Sequence, residues 1–254
     1  MIEFFDNIDR AILLFLNKLH TPFLDKIMIF VTSKWFWILP SLLFIFLSVK
    51  YFRKKFWIPL VFAIICFSVT DYGSAFVKSK IVKRHRPTHN VEICDKIHIV
   101  DNYRGGEYGF FSGHAANSFG FALISLLFLR KRFYAAIVFA CAAIASYSRI
   151  YLGLHYPFDI LCGALYGCLI AVLLYRVSLL IDKHIFKKWT VTKNYNMVVA
   201  QLYHNLYYHW RLSQALSFVL HINSHFANHL LHGFIFSVSL QPNAHRFLLN
   251  HTYH

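Results

Sequence analysis

The chain has 254 residues, 57% of them hydrophobic and 19% aromatic, with only 15% charged. So apolar a composition, gathered into runs, excludes one ordinary soluble domain and indicates an integral membrane protein. The net charge of +15 suits anionic headgroups, cytoplasmic-loop bias and anionic substrates, and with no soluble basic module visible it does not point to nucleic acid.

Residues 1–33 set Phe4, Phe5, Ile8, Ile12 and Phe15 against Glu3, Asp6, Asp9 and Arg10, a pattern that predicts an amphipathic helix lying on the membrane surface. The segment lacks the basic start and clean apolar core of a signal peptide. Whether it spans is left open, because Asn17, Lys18, His20, Asp25 and Lys26 interrupt it. A membrane-embedded domain follows over residues 34–189, with spans expected at about Trp35–Val49, Trp57–Val77, Ala115–Leu129, Phe133–Ser146 and Tyr156–Leu180. The fold class is therefore all-α, a polytopic helix bundle of five to six spans. Asp71 in the second span is costly at membrane depth, which calls for a pair with Lys78, a helix-packing hydrogen bond or a catalytic role. Gly163 and Gly167, four apart, allow close helix packing in the last span. The five cysteines form no metal-ligand pattern and are expected as free thiols.

Between the second and third spans lies the longest polar stretch, about thirty residues, rich in Lys78, Lys80, Lys83, Arg84 and Arg86 and containing His85, His89 and His98 as solvated loop residues. Ser112 is placed to cap the third helix, leaving the N–H groups of Gly113 and His114 as an anion site. The stretch Ser148–Asp159 places Arg149, His155 and Asp159 within twelve residues, between two apolar runs. Pro157 suits the first turn of a helix, putting His155 at its mouth with Asp159 one turn further in. At that spacing a carboxylate can hold the Nδ1 proton of His155 and free Nε2 as a nucleophile, while Arg149 offers a planar fork for phosphate. The plainer reading is a polar turn in the headgroup region. His155 is expected to be exposed and to contribute little packing.

Arg53-Lys54-Lys55, Arg130-Lys131-Arg132 and the group Lys183, Lys187 and Lys188 fall at one membrane face, cytoplasmic by the positive-inside rule. The polar loop and the turns at Ser112–His114 and Arg149–His155 fall at the other. Lysines and arginines on that outer face break the rule unless a bound anion holds their charge. This places a site built from three turns on the outer face. Residues 190–254 change character: no Asp or Glu follows Asp182, and nine of sixteen histidines fall between His204 and His254. His221, His225, His229 and His232 would stripe one helix face, open to reading as a Zn or Ni site, an interfacial helix or a tail with little function.

Arg86-Pro87 with upstream lysines, Ser112-Gly113-His114, and Ser148-Arg149 followed by His155 and Asp159 together resemble the type 2 phosphatidic acid phosphatase superfamily over about Trp35–Leu180. Its third motif, Ser-Arg-x5-His-x3-Asp, is complete. Phe111 stands at the proline of Pro-Ser-Gly-His. In Lys-x6-Arg-Pro the lysine position falls on Ser79, with Lys78 and Lys80 on either side and Lys78 rotated less from the expected direction. The resemblance implies a metal-independent, cofactor-free lipid phosphatase. His155 would form a phosphohistidine, Asp159 would orient it, and His114 would protonate the leaving oxygen and then activate water. Arg86, Arg149, Ser112, Gly113 and Lys78 or Lys80 would hold the phosphate. Polyprenyl pyrophosphate, phosphatidylglycerophosphate and phosphatidic acid all suit an outer-face site, with the bacterial inner membrane as setting and the periplasm as the side served. A lipid-pyrophosphate phosphotransferase and an inactive lipid-phosphate binder stay open, the latter on the departures at Ser79 and Phe111. Oligomeric state is left open.

Overall fold

The computed structural model describes residues 2–185. The chain falls into two compact units, residues 1–177 and 178–254; all that follows concerns the first, together with the end of its last helix. The histidine stripe from His221 to His232 lies outside the described residues.

Among the described residues are seven α-helices: α1 (Ile2–Asn17), α2 (Pro22–Thr32), α3 (Ile38–Phe52), α4 (Trp57–Phe76), α5 (Gly113–Leu129), α6 (Arg132–Tyr151) and α7 (Pro157–Ile185). Extended pairing there is limited to one antiparallel bridge, His85 with Tyr108. Among the described residues four helical stretches are long and apolar enough to cross a membrane: Lys34–Lys55, Trp57–Ile81, Arg132–Tyr151 and Pro157–Ile181. Five to six were expected. The difference lies in Gly113–Leu129, whose 17 residues give it about 25 Å of length, and in the N-terminal segment, which divides into two short helices.

The shorter helix is the centre of the bundle. Ala115, Ala116, Ala122 and Ile124 of α5 are wholly buried, and its small residues let neighbours come close. A Cβ on Gly163 of α7 would stand 2.3 Å from the Ser112 carbonyl oxygen, and one on Gly167 would stand 2.1 Å from that of Ala116. These two glycines therefore set α7 against α5, as their spacing suggested. From α4, Thr70 donates to the Asn117 side chain at 2.6 Å, and Asn117 in turn donates to Asp71 at 3.1 Å. Asp71 thus makes the helix-packing hydrogen bond. Outward, α3, α4 and α7 expose Leu39, Ile64 and Leu165, each 62–75% accessible, along with much of their remaining apolar faces. Such a surface belongs in lipid.

α1 turns inward a face that mixes polar and apolar side chains. Asp9, Leu13 and Asn17, at i, i+4 and i+8, are buried, whereas Phe4, Ile12 and Phe15 are exposed. Leu13 joins Ile93, Ile97, Ile150 and Tyr156 in a small core. Asn17 donates to the Tyr151 carbonyl at 2.6 Å and accepts from the His98 amide at 2.7 Å. The helix packs on irregular backbone whose polar groups need partners, so its inner face carries polar side chains. His98 is no free loop residue either: it bonds Asp25 at 3.0 Å and stacks on His20.

α4 ends in a single π turn, Val77–Ile81, in which the Val82 amide donates to the Val77 carbonyl five residues back at 2.8 Å. A π turn holds one more residue than the α turn it replaces.

Candidate active site

Three chain turns meet at the end of the bundle away from Arg53–Lys55 and Arg130–Arg132. The first descends from the π turn. Lys78 leaves it toward α5, close enough that a Cβ on Gly113 would lie 3.3 Å from Lys78 Nζ. Lys80, two residues on, is exposed and turned away. The extra residue of the π turn thus accounts for the offset at Ser79: seven residues separate Lys78 from Arg86, and the wide turn takes up one of them. Pro87 holds Arg86 extended (φ −63°, ψ 155°). The Arg86 amide donates to the Glu107 carbonyl and the Gly109 amide to that of Arg84, so the returning strand of loop fixes both arginines.

The second turn is the start of α5. Ser112 Oγ accepts from the Ala115 amide at 3.3 Å, the expected cap, and the first amides of the helix, at Gly113 and His114, have no acceptor within it. Ser112 is itself fully buried. Its amide donates to the Asp159 carbonyl at 2.9 Å, tying this turn to the third. Phe111, at the proline position of the resemblance, packs on Tyr166.

The third turn runs from the end of α6 to the start of α7. Arg149 is buried, donates to Thr32 of α2 at 2.5 Å, and faces the Tyr103 ring. His155 is only 1% exposed. The expectation of an exposed His155 is corrected here: the segment between α6 and α7 is tucked under α1 and the long loop. His155 Nε2 lies 3.2 Å from Arg86 Nη1, which also donates to the Leu154 carbonyl. An arginine can only donate, so Nε2 is the acceptor and the ring proton resides on Nδ1. Nδ1 faces Asp159 Oδ2 at 3.5 Å, longer than a formed hydrogen bond, and such pairs tighten when a site is loaded. Burial holds His155 well below the usual imidazole range, with Asp159 opposing and Arg86 adding to the effect, so the ring is neutral. Burial and the neighbouring Arg149 also bring Arg86 down to about 10, still cationic at neutral pH.

These groups line one cavity of about 570 Å³. Lys78, Arg86, Gly113, His114, Arg149 and His155 are among its lining residues. Asp71 of α4, Asn117 and Phe121 of α5, and Trp37, just before α3, line it too. Asp159 and Ser112 stand behind this lining, supporting it, and Lys80 is absent from it. Among the described residues no group of three or more His, Cys, Asp or Glu is arranged to hold a metal ion.

Three participants carry no mark in the sequence pattern. Gly109 presses on the His155–Asp159 pair, so that a Cβ there would meet Asp159 Oδ2 at 3.2 Å. Arg84 Nη1 bonds Asp159 Oδ1 at 2.9 Å, and its Nη2 bonds Asp9 at 2.8 Å and Asp6 at 3.0 Å. Asp9 is the third. Arg84 therefore satisfies its charge with carboxylates rather than a bound anion, which removes part of the conflict with the positive-inside rule. A run of five basic residues in nine positions was the available signal, but nothing local singles out Arg84 within it.

Residues 56–183 match the PAP2 superfamily. The chain is 38% identical over 169 residues to a lipid A 4'-phosphatase of Bacteroides thetaiotaomicron, covering 66% of this chain and 75% of that protein. It is 31% identical over 179 residues to a lipid A 4'-phosphatase of Porphyromonas gingivalis, covering 70% and 76%. The crystal structure of Aquifex aeolicus LpxE superimposes with a TM-score of 0.50 at 25% identity, over 65% of this chain and 93% of that one. A PAP2-type phosphatidylglycerolphosphate phosphatase from Bacillus subtilis shares the fold, with a TM-score of 0.54 at 22% identity, over 70% of this chain and 88% of that one.

Proposed function

The chain belongs to the PAP2 superfamily and is an integral membrane phosphatase acting on phosphoesters, and from that premise we propose that it removes a phosphate from a phosphorylated glycolipid of the lipid A kind through a phosphohistidine on His155. The observation that carries the mechanism is the Arg86–His155 contact: a buried, neutral imidazole presents an unprotonated Nε2 beside a guanidinium in the wall of the cavity.

A phosphate ester resists attack because its oxygens are anionic. Lys78, Arg86 and Arg149 neutralise that charge, and the free amides at the start of α5 add their dipole. On binding, Arg86 transfers its hydrogen bond from Nε2 to a phosphate oxygen, which leaves the nitrogen lone pair facing phosphorus. Nε2 attacks in line, the P–O ester bond breaks, and His114, charged once the bound phosphate offsets Lys78, Arg86 and Arg149, gives its proton to the departing oxygen. Asp159 holds the Nδ1 proton and stabilises the cationic ring. His114, now a base, takes a proton from water. The hydroxide attacks phosphorus, the P–N bond breaks, and inorganic phosphate leaves.

The sugar reading is supported by the names of the relatives and by the wall of the cavity. A carboxylate and an amide, Asp71 and Asn117, stand near the rings of Trp37 and Phe121, a combination suited to sugar hydroxyls and ring faces. We also propose that α5 is a fifth span, that α1 and α2 rest at the outer interface, and that the site opens to the periplasmic side of an inner membrane. Purified protein in detergent, given lipid A bisphosphate, polyprenyl pyrophosphate and phosphatidic acid at equal mole fraction, tests the reading. The expected product is a glycolipid one phosphate lighter by mass. Preference for the pyrophosphate would reassign the substrate, and release from none of the three would overturn the assignment.

Because side-chain cations supply the neutralising charge in this scheme, activity should persist in EDTA. Vanadate, which mimics five-coordinate phosphorus and bonds to histidine nitrogen, should block it at micromolar to millimolar concentration. Loss on chelation that Mg or Zn restores would refute the scheme.

A further inference from the structure

We propose that Arg84, seated by Asp9 of α1, is a positioning residue that aims the Asp159 carboxylate at His155; the inference rests on the phosphohistidine reading above. Asp159 and Asp9 are both wholly buried, and the Arg84 side chain between them is 11% exposed. Each oxygen of Asp159 is fixed: Oδ1 accepts from Arg84 Nη1 at 2.9 Å and Oδ2 from the Tyr156 amide at 3.0 Å, the latter also facing His155 Nδ1. A carboxylate held at both oxygens cannot rotate, and the oxygen turned to the ring is the one Arg84 leaves free.

Asp9 repeats the arrangement from the other side. Its Oδ2 accepts from Arg84 Nη2 at 2.8 Å, and its Oδ1 accepts from the Phe158 amide at 2.9 Å. Tyr156, at the mouth of α7, has no short side-chain acceptor to cap that amide, so a carboxylate from α1, 149 residues away, does so. The Tyr156 ring lies 3.8 Å from the Arg84 guanidinium and closes the seat. Asp6 also reaches Arg84 but is shared with Arg10, which pairs with Glu92 in turn. Arg84 lines no part of the cavity. Its route to the chemistry runs through Asp159 alone. α1 precedes residue 56, where the family match begins, so a helix outside the matched segment completes this support. Burial, opposed by Arg84, holds Asp9 up at about 6, so an asparagine there keeps the cap without demanding a buried charge.

A double-mutant cycle on the full-length protein separates positioning from simple packing, read with lipid A bisphosphate and, in parallel, p-nitrophenyl phosphate. Arg84→Gln should lower kcat about 30- to 100-fold with KM within about threefold, and Arg84→Lys should recover part of the loss. In an Asp159→Asn background the same Arg84→Gln change should cost less than about threefold, because the group it aims is gone. Asp9→Asn should lower kcat about five- to tenfold in the wild-type background and leave it unchanged in the Asp159→Asn background; it decides the matter if Arg84→Gln fails to fold. Equal losses with and without Asp159, or a loss confined to KM, would overturn the inference. His155→Gln is the separate control: turnover by that variant sinks the phosphohistidine reading, whereas its inactivity alongside additive Arg84 effects sinks only the positioning role.

Discussion

His155→Gln should abolish turnover, by at least about 10⁴-fold or roughly 5.5 kcal/mol of transition-state stabilisation, while the protein stays folded. Glutamine is the better probe than alanine because His155 is buried between Arg86 and Asp159, and an alanine would leave a hole beside two charged groups. Rapid mixing with a ³²P-labelled substrate, quenched in alkali to preserve the acid-labile P–N bond, should trap label on the wild type and none on the variant. His114→Gln should give the opposite signature with an activated ester whose leaving group needs no proton. Label should accumulate, because the second step lacks its base. Residual turnover by His155→Gln above about one per cent of wild type would remove the nucleophile from the scheme.

Lys78→Ala should lower kcat/KM by tens- to hundreds-fold, about 2–3 kcal/mol, comparable to losing one donor from an oxyanion hole. Lys80→Ala should cost less than about twofold. Counted along the chain, the two lysines are equally displaced from the position where the family pattern expects one. In space they are not equal, since Lys78 borders the cavity beside Gly113 and Lys80 is turned outward. The cavity lining gathers three cations, and removing one leaves a phosphate dianion opposed by Arg86 and Arg149 alone. Steady-state kinetics on the two variants at matched detergent and lipid mole fraction decide the question. Equal effects, or a larger one at Lys80, would reject the assignment of Lys78.

The helical bundle was legible in the chain because apolar runs of membrane length are a local signal. The glycine pair at Gly163 and Gly167 was legible for the same reason. So were the three turns, whose residue types recur at fixed local spacing. What escaped was non-local. Asp9 reads as one more acid on a polar helix face, and its partners Arg84 and Phe158 lie 75 and 149 residues away. The burial of His155 escaped likewise, because it is produced by α1 and the long loop folding over a segment that in isolation looks like an exposed turn. In α1 the apolar periodicity marks the face left exposed, whereas the residues of the face that packs on the loop are set by backbone groups far along the chain that they must satisfy.

The π turn at Val77–Ile81 bears on how a catalytic framework can absorb changes in chain length. An inserted residue in a regular helix swings everything beyond it by about 100°. Confined to one wide turn, the insertion leaves the earlier part of α4 in step with α5, with Thr70 still on Asn117 and Cys66 still beside Gly120. A search that counts six residues between the lysine and the Arg-Pro pair would dismiss this chain as a pseudoenzyme, although its ammonium group stands at the cavity. Excising Ser79 should relax the wide turn to an ordinary one and preserve most activity, whereas excising Val69 should throw Thr70, Asp71 and Lys78 out of phase together. Indels in such enzymes are therefore expected to collect at this helix end, where the geometry forgives them, and to be rare a turn or two earlier.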